Sequence, residues 1–260
     1  MASTPADRAD SRTDRGPDLD QIFSWDYVRK TGQDGWSLLK APLSWGPTEW
    51  LVAGGAVAAT GAAMLLDHEA RDWALSNQTT TGDEVANVMK YFGTAVPLGV
   101  IAGSYVFGEY TGNLTARRLA ADGLEASILS SLMVVYPMKF LLGRSRPSEN
   151  RGSQDYHPFN ISGSLPSSHT AEAFTMAAVV AEHADNPWIS ALAYGLAAGV
   201  GVSRVYEDRH WLSDVVASAV IGTVVGKAVV ALNRQRRDTP VSVVPLAAPG
   251  SWGAALQFRY

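Results

Sequence analysis

His210 stands four residues before Asp214 and six after Arg204. If a helix opens at His210, the i+4 spacing puts the carboxylate on the imidazole's face, where it can hold the ring and select its tautomer. Such a pair makes a nucleophile or a base, and the same pair also occurs as a plain structural contact. A second group, Lys139, Arg146 and Pro147, ends an apolar stretch with cations and a proline stop. These cations suit a phosphate, and they equally suit the dipole of a helix end or lipid headgroups at a membrane edge. The third group, Pro166-Ser167-Ser168-His169-Thr170, reads as a turn into a helix start. Free N–H groups and the positive dipole end attract an anion there, although Ser167 or Ser168 as an ordinary N-cap is the simpler use of the residues. Combined, the three groups supply what phosphoryl transfer needs: cations and N–H donors for the phosphate oxygens, one histidine to attack and another to move a proton.

The elements that must carry these groups are apolar. Uncharged stretches run over Trp50–Leu66 and Phe92–Phe107, at the short end of what crosses a hydrocarbon core of about 30 Å. Further candidates are Ala121–Met138, which includes Asp122 and Glu125, then His169–Glu182, Trp188–Val202 and Trp211–Leu232. Their Gly, Ala and Ser content suits close helix contacts in lipid and also tightly packed soluble bundles. Six crossings put all three groups on one side of a membrane. The other side then holds Arg117, Arg118, Arg234, Arg236 and Arg237, with Arg29, Lys30 and Lys40 ahead of the first span, which suits the cytoplasm.

The rest of the chain bounds the reading. Its 260 residues, 47% hydrophobic, suit one large domain. A net charge of −4 argues against nucleic acid as a partner, and the absence of cysteine excludes disulfides, thiolate metal sites and cysteine nucleophiles. Residues 1–20 read as a charged, disordered tail rather than a secretory signal. Residues 21–49 mix Ile22, Phe23, Trp25, Trp36 and Leu39 with charges, as an interfacial segment or a soluble amphipathic helix does. The body spans 50–233, and 234–260 is a flexible tail or a short hairpin turning at Pro249-Gly250. No residue pattern sets an oligomeric state.

The three groups in this order, K-x6-R-P over 139–147, P-S-S-H over 166–169 and S-R-x5-H-x3-D over 203–214, resemble the signature of the type 2 phosphatidic acid phosphatase superfamily. The resemblance implies an all-α fold, a six-helix transmembrane bundle, and hydrolysis of a lipid phosphomonoester or diphosphate without metal or other cofactor. It implies that Lys139, Arg146 and Arg204 bind phosphate, with Ser167 and the backbone N–H of Ser168 as further donors. His210 becomes the nucleophile, Asp214 orients it, and His169 protonates the leaving group and then activates water. The implied partners are a phosphorylated lipid and the membrane, and the implied location is a bacterial inner membrane with the site facing the periplasm or outer surface. One departure is Ser168, where the signature has glycine; a requirement for positive φ there would make serine costly. Glu207 and Asp208 read as a solvated loop, with some capacity to temper the positive charge. His68, His157 and His183 fall outside the signature, and only His157 is placed to touch substrate. Two other classes share these residues: a soluble acid phosphatase or vanadate-dependent haloperoxidase, and a non-catalytic lipid-binding membrane protein.

Overall fold

A computed structural model of the chain describes residues 21–238, 241–248 and 251–258. The described body is helical: α1 (Trp25–Lys40), α2 (Pro47–Leu65), α3 (Asp67–Ser76), α4 (Thr80–Met89), α5 (Ala95–Thr111), α6 (Leu114–Leu129), α7 (Tyr136–Leu142), α8 (Ser168–His183), α9 (Pro187–Tyr206) and α10 (Leu212–Asp238). A π-helical segment, Ser130–Val135, joins α6 to α7, so that Leu114–Leu142 runs on as one long apolar rod. Two strands, β1 (Val241–Ala248) and β2 (Ser251–Phe258), pair antiparallel. The turn expected at Pro249-Gly250 lies outside the described residues, as does the tail at 1–20.

Four helical stretches among the described residues are long and apolar enough to cross a membrane: Pro47–Leu65, Leu114–Leu142, Pro187–Tyr206 and Leu212–Arg237. A fifth arises if Thr80–Gly93 and Ala95–Thr111, bent by 43° at their junction, count as one span. The second crossing expected from sequence, Phe92–Phe107, is therefore the far half of a bent pair, because Thr79 caps a separate helix ahead of it. The fourth expected crossing is α8, whose 16 residues are fewer than a span needs by length alone; it is enclosed by α6, α9 and α10. The outer helices bury little of themselves. In α2 only 6% of the apolar window is covered by protein, and water would not tolerate so much bare apolar surface. The body is that of a multi-pass membrane protein.

Small residues let α8 and α10 approach closely. A Cβ on Gly222 or Gly226 would run into the carbonyl oxygens of Ala171 and Thr175 respectively, so this four-residue glycine spacing is what brings the backbones together. Below that contact Ala126, Leu129, Val179, Val225, Val229 and Val230 form the apolar core. At the end of the bundle away from the three sequence groups, α1 docks with its polar face inward. Lys30 meets Glu125 at 2.9 Å, Arg236 meets Asp34 at 2.5 Å, and Asp122 receives Arg237 at 2.6 Å and His183 at 2.9 Å. The charges that sat oddly in an apolar stretch, Asp122 and Glu125, are thus partners in one buried ion network. Phe23, Trp25, Trp36 and Leu39 point outward.

Candidate active site

The chain leaves α7 through Gly143, in the left-handed conformation at φ 55°, and its Cα faces the carbonyl of His157 so closely that no side chain fits. This turn separates three cations. Lys139, buried in the last turn of α7, donates to the Gly163 carbonyl at 2.6 Å. Arg146 is half-buried and donates through Nε to the Ser162 carbonyl at 3.2 Å. Two cations thus hold consecutive carbonyls of one loop. Arg144, between them, turns away and is wholly buried.

Across from them α8 begins at Ser168, with Ser167 as N-cap. The Ser167 hydroxyl accepts from the Thr170 N–H at 3.5 Å and from the Thr170 hydroxyl at 3.0 Å, so the plain capping role holds for this residue. Its own N–H donates to Ser218 Oγ at 2.6 Å, tying the α8 start to α10. Ser168 is not among the residues with positive φ, so serine in the signature's glycine position carries no backbone strain. His169 follows at the second helical position, with Arg204, His210, Lys139 and Arg146 as its charged neighbours. Burial first, and those cations second, push its imidazole down to about 4.

The third group closes the site. Arg204, at the end of α9, is buried and pairs with Glu207 at 2.8 Å, so Glu207 belongs to the site and not to a solvated loop. Asp208 takes a left-handed φ of 57° and binds Arg71 through both oxygens at 2.7 and 3.0 Å. His210 does not open a helix, since α10 starts at Leu212. Its Nδ1 nonetheless lies 3.6 Å from Asp214 Oδ2, an ion-pair separation just beyond hydrogen-bond reach. Burial holds the His210 imidazole below its ordinary value while Asp214 pulls the other way. Asp214 Oδ2 also accepts the Trp211 N–H at 2.9 Å, and Oδ1 accepts from Arg144 at 2.6 Å.

The eight residues singled out from sequence thus gather at one end of the bundle. His157 is half-exposed and pairs with Asp155 at 2.8 Å. His68 stacks edge-on against Trp211 at 5.3 Å, and His183 serves the distant ion network. Sequence reading missed Arg144 and Asp67. Arg144 was visible as one more cation in the first group, whereas nothing local marks Asp67.

A comparison with known families matches residues 123–238 to the PAP2 superfamily, by that description. The match covers the second half of the bundle and all three sequence groups. A curated relative, the lipid A 1-phosphatase of Porphyromonas gingivalis, is 32% identical over 113 residues, 43% of this chain and 23% of the relative. The chain thus spans less than a quarter of that relative's length. Among solved structures, Aquifex aeolicus LpxE superposes with a TM-score of 0.50 at 23% identity, covering 64% of this chain and 95% of that one. A transmembrane PAP2-type phosphatidylglycerolphosphate phosphatase from Bacillus subtilis gives a TM-score of 0.45 at 19% identity, over 72% and 94%. The superposition on LpxE shows a shared fold over a longer part of this chain than the matched segment.

Proposed function

We propose that this protein is a PAP2 phosphatase that hydrolyses a phosphomonoester or diphosphate carried by a lipid, through a phosphohistidine on His210. The observation that carries the reading is the convergence of the His210–Asp214 pair with Lys139, Arg146, Arg204 and His169 at one end of the bundle. His210 Nε2 attacks phosphorus, leaving a cationic ring whose Nδ1–H faces Asp214. The bond to the ester oxygen breaks, and that oxygen takes a proton from His169, whose imidazole binds that proton once the negative charge of the seated phosphate offsets the cations around it. His169 then removes a proton from water, whose oxygen attacks the phosphohistidine and releases inorganic phosphate and free His210. Lys139, Arg146, Arg204 and the α8 N–H groups hold the three phosphate oxygens throughout.

A lipid substrate fits the surroundings. Phe140 and Leu141 on α7, and Phe159 and Ile161 on the 157–163 loop, are exposed apolar side chains beside the carbonyls that hold Lys139 and Arg146. The curated relative acts, by its name, on lipid A. The site end faces away from the cytoplasm in this reading, because Arg117, Arg118, Arg234, Arg236 and Arg237 gather at the opposite end. The phosphatase body is 50–233, and 21–49 is an interfacial lead whose aromatic side meets lipid.

The test is phosphate release in detergent, with chelator present, from a panel of phosphatidate, phosphatidylglycerophosphate, polyprenyl diphosphate and lipid A. Activity is expected in the wild type, inhibited by vanadate, and absent from His210→Ala. Activity surviving that substitution rejects the phosphohistidine route.

A further inference from the structure

Asp67 lies at the start of α3, outside the segment matched to the family, and is wholly buried. Its Oδ1 accepts the Ser213 N–H at 2.9 Å, and Oδ2 accepts the Ser213 hydroxyl at 2.8 Å and Arg144 Nη2 at 2.7 Å. A carboxylate from another element therefore caps α10, whose first N–H groups have no partner within their own helix.

Arg144 carries the contact onward. Its Nε donates to the Ser153 carbonyl at 2.7 Å, and Nη1 to Ser213 Oγ at 2.8 Å and Asp214 Oδ1 at 2.6 Å. With Nη2 on Asp67, every nitrogen of the guanidinium is engaged at zero exposure, so Arg144 is not available to a phosphate as Arg146 is. The planar fork fixes two carboxylates at once, a task that lysine's single ammonium cannot perform. The Arg144 guanidinium also lies 5.7 Å from the Trp211 ring, whose Nε1 donates to the Ser145 carbonyl at 2.9 Å. Arg71, one helical turn along α3 from Asp67, grips Asp208. Thus α3 holds the 208–214 stretch at both ends.

We infer that Asp67 is a positioning residue for His210, acting through Arg144, Ser213 and Asp214. This rests on the proposed attack by His210. Two effects follow from the geometry. The Asp67–Arg144–Asp214 chain fixes the carboxylate that faces Nδ1, and hence the ring plane. Two carboxylates sharing one guanidinium also leave one negative charge behind His210, on the side away from the phosphate, which favours the cationic ring formed as Nε2 bonds to phosphorus. Neither effect touches phosphate binding, which depends on Lys139, Arg146, Arg204 and the α8 N–H groups.

The experiment compares wild type, His210→Ala and Asp67→Asn, each full-length in detergent, normalised to folded protein by size-exclusion profile. It reads kcat, and Ki for inorganic phosphate. Asp67→Asn is expected to lower kcat by about ten- to a hundredfold, as loss of an outer partner of an active group does, with Ki within about twofold of wild type. A kcat at the wild-type level, or a Ki that rises in step with the loss of kcat, overturns the inference. If Asp67→Asn does not fold, Arg144→Lys decides in its place: it keeps one cation but cannot hold Asp67 and Asp214 at once, and an unchanged kcat rejects the relay. A wild type that releases no phosphate from any lipid in the panel counts against the proposed activity instead, and is distinguished by that arm alone.

Discussion

His210 Nδ1 and Asp214 Oδ2 lie 3.6 Å apart although the histidine precedes α10 by two residues, so the pair is held by the loop and not by helical periodicity. The Trp211 N–H on the same Asp214 oxygen folds the loop back over the helix start. A closing of well under 1 Å converts the ion pair into a hydrogen bond, and catalytic contacts commonly tighten in this way when substrate arrives.

Asp214→Asn follows from that contact. An amide keeps the shape but loses the charge that favours the cationic imidazole, and it can present N–H toward the ring. We expect kcat to fall about a hundred- to ten-thousandfold, with the affinity for inorganic phosphate little changed. Steady-state kinetics beside a phosphate-inhibition series check it; an equal loss in both quantities would show that Asp214 shapes the binding pocket instead.

In the proposed site, Glu207 would compete with phosphate for Arg204. Its carboxylate sits 2.8 Å from Nη2, and an arriving phosphate meets an arginine already partly neutralised. Glu207→Gln is expected to lower Ki for inorganic phosphate by up to about fivefold, the scale of a partly exposed ion pair of about 1 kcal/mol. A higher Ki in the variant would mean that Glu207 aims Arg204 rather than restrains it.

Much of this site was legible because each sequence group is local. Lys139 to Arg146, Ser167 to His169 and Arg204 to Asp214 are each short enough for spacing to carry meaning, and the chemistry they share says that they must meet. The supporting layer was not legible for the opposite reason. Asp67 and Arg144 are 77 residues apart, and an aspartate just after an apolar stretch reads as the solvated end of a helix until a buried arginine is placed against it. Glu207 looked solvated because its partner lies only three residues back, at the end of a helix whose last turn sequence does not fix. The break ahead of α5 was missed because apolar content identifies a span and says little about where its axis bends.

Ser168→Gly tests the one departure from the family signature. Ser168 has an ordinary negative φ, and its N–H belongs to the open first turn of α8. Glycine gains nothing there conformationally, so the variant is expected to keep wild-type kcat and KM. A marked rise in activity would show that the serine side chain obstructs the phosphate.

The α8–α10 contact gives a stability experiment with its own control. A Cβ on Gly226 meets Thr175 O at 2.7 Å and Ala178 Cβ at 2.8 Å, both belonging to a helix that cannot move aside cheaply. Gly226→Ala is expected to destabilise by about 1–3 kcal/mol, an overpacking cost. Gly54→Ala on α2 has nothing within 4 Å of the new methyl group and should leave the thermal midpoint unchanged or raised. Equal effects at the two positions in a detergent melt would rule out close packing as the cause.

The two histidines set a pH dependence of stability whose sign is fixed. His169 is pushed down to about 4 in the folded protein and returns to about 6.5 when unfolded. Between those values the unfolded chain binds more protons, so acidification draws the protein toward unfolding and stability rises with pH across that window. Above about 6.5 this group contributes no slope. His210 acts in the same direction, since its imidazole is also held below the ordinary value. The thermal midpoint in detergent should therefore climb from about pH 4.5 to about pH 6.5 by less in His169→Gln than in the wild type. A climb of the same size in both would mean that His169 titrates alike folded and unfolded, and that the cations around it do not exclude its proton.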